Sequence, residues 1–337
     1  MGYDHGFGEL GNRLIDLFRS GAPDFEKAEE LIAQGADVNS IGSDDGASIL
    51  SEILEGYWYS EYGDEYEDLY YSDEIERSKS LNPDLGISMC KIIEFFLAHG
   101  FDVSKQGGRF GAHCLWSLTL STFDRYIIDA TKLLLDAGAA NLSIAQSGSK
   151  HETPKEFIGL EESYQATCEN NFALSNIYEA VWQIYEAIEN GRPYSGIGSY
   201  EAAVGKRITR VLAEGKAGET VFYSLRLPEF AKDSCFKKTL YFVYDGGAMI
   251  IDEYAALWVN SVLPDTELVD VSGFFPGIVG HSLERFIFDS LTITKEETDY
   301  TKPIVLIETS SGHKLRFSIN FGEVEEEDRA AYFELVG

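Results

Sequence analysis

Residue types that carry out catalysis or bind metals are thinly spread along this chain. No two histidines share metal-ligand spacing, and the motifs HExxH, GxSxG and the Walker loop are absent. The histidines are His5, His99, His113, His151, His281 and His313. Two arrangements remain possible: His281 and His313 could pair in space, and the carboxylates Asp245, Asp252 and Glu253 around one hairpin could form a glycosidase-like pair. We predict no catalytic residues, no metal site and no cofactor.

The four cysteines are scattered and form no CxxC pair; they are Cys90, Cys114, Cys168 and Cys235. A chain of 337 residues can bury a core without disulfides, so we expect reduced, mostly buried thiols in a cytoplasmic protein. The first residues lack a basic segment followed by an apolar one, and we expect no signal peptide. No apolar run approaches transmembrane length.

One segment has the composition of a binding surface. Residues 57–76 interleave six tyrosines and one tryptophan with eight carboxylates, outside the EF-hand register. Tyrosine and tryptophan supply large, stiff contact area, and carboxylates steer basic partners and accept paired bonds from arginine. The alternative is a solvated loop whose aromatic rings fold back onto the protein. The predicted partner-binding residues are Tyr57, Trp58, Tyr59, Glu61, Tyr62, Asp64, Glu65, Tyr66, Glu67, Asp68, Tyr70 and Tyr71.

The charge is strongly negative and uneven. The chain has 27 basic and 57 acidic residues, a net charge of −30. Residues 1–195 hold 13 basic and 34 acidic residues, against 14 and 23 in residues 196–337. Such a field repels nucleic-acid backbones and anionic membranes and attracts basic proteins. We therefore expect a basic protein to bind the first half, although solubility alone also explains the acidity.

Three segments of the first half align with one another. Each is an apolar-striped helix that ends at a glycine, where the chain needs a left-handed residue. The glycines are Gly35, Gly100 and Gly138. A small or apolar residue and then Asp-Val, or a relative of it, follow each glycine.

The run Gly35-Ala36-Asp37-Val38-Asn39 resembles the end of the second helix in the ankyrin-repeat family. Asp45-Gly46-Ala47-Ser48-Ile49-Leu50 is similar to the family's Asp-Gly-x-Thr-Pro-Leu, and Glu152-Thr153-Pro154 to the same start, although Thr-Pro-Leu-His is never complete. The resemblance implies about four repeats over residues 8–192, the last helix lying near 175–189. The long interval between Gly35 and Gly100 implies an insertion at about 57–86.

The second half has the pattern of a β-rich domain. Strands are predicted on both sides of turns at 245–247 and 310–313. Helices are predicted at 199–212 and 325–335. A Pro/Gly/Ser cluster at 193–199 indicates a linker.

The predicted fold class is therefore multidomain. An N-terminal all-α ankyrin-like helical repeat stack occupies residues 1–192, and a C-terminal mainly antiparallel α+β domain of no recognised family occupies residues 200–337.

These features favour a non-enzymatic protein–protein interaction module with a basic protein partner. One concrete version, by analogy of fold and charge, is a bacterial immunity protein that neutralises a toxin. Two alternatives stay open. The β-rich domain could be an enzyme to which the repeats recruit substrate, or the chain could be a passive scaffold or homo-oligomer. The sequence does not predict the oligomeric state.

Overall fold

The computed structural model describes residues 6–19, 23–42, 47–54, 83–105, 113–121, 126–141, 144–145, 151–158, 172–216, 222–223, 234–236, 239–252, 257–295, 298–319 and 331–336. Its contacts divide the chain into two compact units, Met1–Ala166 and Thr167–Gly337. The division thus lies earlier than the linker predicted at 193–199, and the helix Phe172–Glu189 accounts for the difference.

The first unit is built mainly from helices. They are α1 (Gly8–Arg19), α2 (Phe25–Ala33), α3 (Pro83–Ala98), α4 (Cys114–Ser121), α5 (Tyr126–Asp136) and α6 (Pro154–Ile158), and residues 49–54 are also helical. α1 packs on α2, while α5 packs on both α3 and α4. Two short strands, β1 (Ile144–Ala145) and β2 (His151–Glu152), pair antiparallel.

Aromatic rings join α1, α2 and α3. Phe18 of α1 lies with its ring centroid 5.7 Å from that of Phe25 and 5.5 Å from that of Phe96. Phe95 of α3 lies 5.5 Å from Phe25. Phe18 and Phe96 are fully buried, and each such side chain contributes about 1.5–3 kcal/mol through the hydrophobic effect. This cluster fixes α2 beside α3.

Three helices end in the same glycine turn, as the sequence predicts. Gly35, Gly100 and Gly138 have φ values of +105°, +78° and +98°. In each case the next amide donates to the carbonyl five residues earlier, which is the Schellman pattern. The bonds run from Ala36 to Leu31, Phe101 to Phe96 and Ala139 to Leu134, at 2.9, 3.0 and 2.9 Å. A Cβ at any of the three glycines would meet no atom within 4 Å, so the backbone conformation alone requires glycine there.

The helices that begin at residues 49 and 154 start alike. Ser48 Oγ accepts from the Ser51 amide at 3.2 Å, and Thr153 Oγ1 accepts from the Glu156 amide at 3.1 Å. Glu156 Oε2 accepts in turn from the Thr153 amide at 2.7 Å, which completes a capping box. Buried His113 occupies the same place before α4. The run from Gly111 to Leu115 could have revealed this match in the sequence, because it repeats the pattern of the run from Gly46 to Leu50.

Among its described residues, the second unit contains two six-stranded antiparallel sheets. The strands are β3 (Gly198–Ser199), β4 (Arg210–Glu214), β5 (Phe222–Tyr223), β6 (Ser234–Phe236), β7 (Leu240–Tyr244), β8 (Gly247–Ile251), β9 (Leu257–Asn260), β10 (Leu268–Asp270), β11 (Leu283–Lys295), β12 (Thr298–Thr309), β13 (Lys314–Ile319) and β14 (Ala331–Val336). The first sheet has the order β10-β4-β7-β8-β9-β3 and the second β11-β12-β13-β14-β6-β5. The chain is therefore a mixed α+β protein.

Both sheets contribute to one core. Phe242 and Met249 of the first sheet and Val305 and Leu315 of the second are fully buried in it. The helix α7 (Phe172–Glu189) packs on β9 and β3. Because its contacts are with these strands, it belongs to the second unit, whereas the repeat pattern assigned residues 175–189 to the first domain.

Two predicted helices are wrong, and two predicted hairpins are confirmed. In 199–212 the helix stops after the 3-10 turn Tyr200–Ala203, because Gly205 takes φ +79° and its amide donates to the Leu283 carbonyl at 2.7 Å. In 325–335 the described part is strand β14, which pairs with β13. The hairpins β7–β8 and β12–β13 form where the turns were predicted.

Candidate interaction surface

The predicted binding segment lies outside the described residues, which stop at residue 54 and resume at 83. It comprises Tyr57, Trp58, Tyr59, Glu61, Tyr62, Asp64, Glu65, Tyr66, Glu67, Asp68, Tyr70 and Tyr71. Its role stays a prediction. The part of the candidate surface whose geometry the structure describes is formed by the helices of the first unit.

The loops after Gly35 and Gly100 have the same internal hydrogen bonds. Asp37 Oδ1 accepts from the Asn39 amide at 2.8 Å, and Asp102 Oδ1 accepts from the Ser104 amide at 3.0 Å. These Asx turns give the amides of Asn39 and Ser104 a side-chain acceptor two residues earlier. The Ser104 hydroxyl also donates to Asp102 and holds the pKa of that carboxyl below its ordinary value. Asp37 and Asp102 are both exposed, so each loop presents a carboxylate to solvent.

Asn39 joins these two loops directly. Its Nδ2 donates to the Gly100 carbonyl at 2.9 Å, and its Oδ1 accepts from the Asp102 amide at 2.8 Å. Its backbone carbonyl accepts from Lys105 Nζ at 2.9 Å. The loop after α2 is therefore held against the loop after α3.

A second contact joins α2 to α3. His99 Nε2 lies 3.0 Å from Glu29 Oε2, and His99 Nδ1 lies 2.8 Å from the Phe95 carbonyl oxygen. These two acceptors, the Phe95 carbonyl first, raise the pKa of His99 above its ordinary value, while burial opposes them. The glycine pattern places His99 at a helix end but does not reveal Glu29, which lies 70 positions earlier.

Carboxylates recur on the exposed surfaces of α2, α3 and α5. The exposed acids of these helices include Glu26, Glu29, Glu30, Glu94, Asp129 and Asp136. Among their lysines, Lys27 is bonded to Asp24 Oδ2 at 2.6 Å, and burial lowers the pKa of Lys132. Such a surface attracts cations. Salt screens this electrostatic attraction beyond about 8–10 Å at physiological ionic strength. Exposed carboxylates of this kind can accept charge-assisted hydrogen bonds from arginine and lysine side chains.

A serine–histidine contact in the second unit does not make a nucleophile. Ser311 Oγ lies 2.9 Å from His313 Nδ1 and 2.8 Å from the Gly277 carbonyl, which can only accept. The hydroxyl therefore donates to Gly277, and His313 donates to Ser311. A general base would have to accept that hydroxyl proton. His313 thus holds the β12–β13 turn, and no hydrogen bond pairs it with His281.

The proposed carboxylate pair is also separated. Asp245 lies in the turn before β8 and Asp252 directly after it, while Glu253 lies outside the described residues. Because a strand rises about 3.3 Å per residue, β8 sets the two backbone positions roughly 20 Å apart. Glycosidase carboxyl groups lie about 5–10 Å apart, so Asp245 and Asp252 do not form such a pair.

Cys114 is buried, and burial raises the pKa of its thiol to about 12. It is therefore protonated at neutral pH and is not an activated nucleophile. Cys90 is half-buried, and the side chains of Cys168 and Cys235 lie outside the described residues.

In the part of the chain that the structure describes, no group of three or more His, Cys, Asp or Glu side chains could hold a metal ion. Among the same residues, no helix has the length and apolar character needed to cross a membrane. No family model matches this chain, and no curated protein matches it.

Proposed function

We propose that this chain is a non-enzymatic protein–protein interaction module whose first unit binds a basic protein. The observation that carries the proposal is the recurrence of exposed carboxylates on α2, α3 and α5, of which α3 contacts both others, within a chain of net charge −30. Fixed helices hold those charges in one arrangement, which favours specific steering of a cationic surface over diffuse attraction.

The proposed architecture of the first unit is a divergent ankyrin-like stack of helix pairs. Three observations support it: the glycine turn is used three times, the helices at 49 and 154 start with a capping hydroxyl, and Asn39 bonds one loop to the next. Repeat stacks of this kind bind partners through extended surfaces.

We further propose that the tyrosine-rich segment at 57–76 completes the binding surface. Its eight carboxylates would extend the acidic surface, and its aromatic residues would supply the large apolar contact area that carboxylates lack.

A bacterial immunity protein is the most concrete form of this proposal. A nuclease toxin is often basic, and carboxylates would then block a site that normally holds phosphate.

The experiment measures binding of the full chain to basic proteins, beginning with any toxin encoded beside it, as a function of salt. One variant reverses four charges in the segment, at Asp64, Glu65, Glu67 and Asp68. We expect affinity to fall about tenfold or more and the salt dependence to flatten, because steering charges are lost.

Two further variants locate the surface. Glu26→Lys with Glu30→Lys changes the exposed side of α2, and Asp265→Lys with Glu267→Lys makes the same charge change at exposed positions of the second unit. The proposal expects the first pair to weaken binding and the second to change it little. Equal effects of both pairs would mean that net charge alone matters. Unchanged mass in light scattering with every basic candidate would favour a passive scaffold.

A further inference from the structure

Both ring nitrogens of His99 face hydrogen-bond acceptors. The Phe95 carbonyl lies 2.8 Å from Nδ1, and the Glu29 carboxylate lies 3.0 Å from Nε2. A carbonyl has no proton to donate, and neither has an ionised carboxylate. A neutral imidazole has only one N–H, so in that form one nitrogen lone pair must point at an oxygen lone pair. Only the imidazolium donates to both neighbours.

The surroundings of the ring favour the same form. The charged group of α2 that faces His99 is Glu29. On α3, the ring centroid of Phe95 lies 4.3 Å from that of His99. The uncharged ring of Phe18 on α1 packs against Phe95. His99 also lies at the C-terminal end of α3, where the helix dipole favours a cation. The charged side chain bonded to the ring is thus a carboxylate.

We propose that His99 is a proton-dependent bridge between α2 and α3, closed when the imidazole is protonated and weakened when it is neutral. The bridge is well placed to act on the neighbouring loop. Gly100, the next residue, supplies the carbonyl to which Asn39 donates. Weakening the bridge therefore loosens α3 at the point where its loop is held against the loop after α2.

The direction in which the pKa of His99 is shifted decides how the stability of the junction between α2 and α3 changes with pH. The pKa of His99 is raised in the folded protein, first by the Phe95 carbonyl and then by Glu29. Its stabilising contribution is fully present below the ordinary histidine pKa of about 6.5 and is lost as pH rises through the folded value. The junction between α2 and α3 is thus tighter in mildly acidic solution than at pH 8.5.

The first measurement is an NMR titration of the ring of His99 in the full chain. We expect a pKa above 6.5 and protons on both ring nitrogens at pH 6. Glu29→Gln, which keeps the shape but removes the charge, should lower that pKa. A ring that titrates at or below 6.5, or a pKa that Glu29→Gln leaves unchanged, would overturn the proposal.

The second measurement is hydrogen exchange of residues 91–105 between pH 6 and pH 8.5, corrected for intrinsic exchange. We expect the opening equilibrium of the wild type to increase about two- to fivefold, the range for a partly exposed ion pair. His99→Gln should remove this dependence, while His281→Gln in the second unit should retain it. The same dependence in His99→Gln would contradict the bridge. If His99→Gln does not fold, the titrations of wild type and Glu29→Gln still decide.

Discussion

Asn39 and Asp102 are bonded across 63 positions of sequence: the side-chain oxygen of Asn39 accepts from the Asp102 amide at 2.8 Å. The same carboxamide donates to the Gly100 carbonyl at 2.9 Å. One planar group therefore satisfies a donor and an acceptor of the neighbouring loop. Two loops of similar sequence are thus joined by a residue that belongs to the repeated pattern itself.

Asn39→Ala should destabilise the first unit. Two hydrogen bonds between loops are lost, each worth about 0.5–1.5 kcal/mol before allowance for solvent, so we expect the free energy of unfolding to fall by about 1–2 kcal/mol. Urea denaturation measures the change. Asn190→Ala is the control, because Asn190 bonds only Glu186 of its own helix end. Equal losses in the two variants would show that the contact between loops contributes no more than the bonds within one helix end.

Gly100→Ala should cost about 1–2 kcal/mol through the backbone alone. Gly100 has φ +78°, which an L-residue adopts only with strain, yet a Cβ there would meet no atom within 4 Å. Gly273→Ala is the matched control, since its Cβ also has open space and its φ is not left-handed. Thermal melts of both variants test the expectation. A Gly273→Ala loss as large as that of Gly100→Ala would assign the cost to something other than φ.

The glycine turns were predictable because their cause is local. A left-handed residue after an apolar-striped helix is required by the helix end itself, so Gly35, Gly100 and Gly138 could be identified without knowing what the helices pack against. The hairpin turns at 245–247 and 310–313 were predictable for the same reason. Each combines turn residues with strand-forming neighbours.

Elements fixed by distant partners were not predictable. The segment from Tyr200 has good helix formers, but pairing with Leu283 and β7 extends the chain after Gly205. The contacts that place α7 on β9 join residues about 80 positions apart, so the repeat pattern favoured the wrong neighbour. The Glu29–His99 contact has the same origin. Helix spacing shows which residues share one face of a helix, but it does not show which other helix packs against that face.

Asn176→Ala should destabilise the second unit. Asn176 is fully buried on α7, and its Oδ1 accepts from the Leu257 amide at 2.7 Å. Removing the acceptor leaves that amide buried without this partner, which costs about 1–3 kcal/mol. Hydrogen exchange should show faster exchange of the Leu257 amide. Gln183→Ala, which loses a bond to Glu179 within α7, should leave Leu257 protected; faster exchange there in both variants would contradict this role.

The thiol of Cys114 should make stability fall in alkaline solution. Its pKa is raised to about 12 by burial, from an ordinary value of 9.0 that applies when the chain is unfolded. The unfolded chain therefore loses this proton first, and the contribution to stability is present below pH 9 and is lost as pH rises toward 12. At pH 10 the loss is about 1.4 kcal/mol for one group.

Cys114→Ala removes this ionisation while leaving the other three cysteines in place. The difference in unfolding free energy between wild type and Cys114→Ala should shift against the wild type by about that amount between pH 8 and pH 10. Because every other titrating group is common to both proteins, their effects cancel in the difference. Parallel pH profiles would mean that the Cys114 thiol ionises in the fold as readily as in the unfolded chain, which requires solvent to reach it between α4 and the Val103 carbonyl.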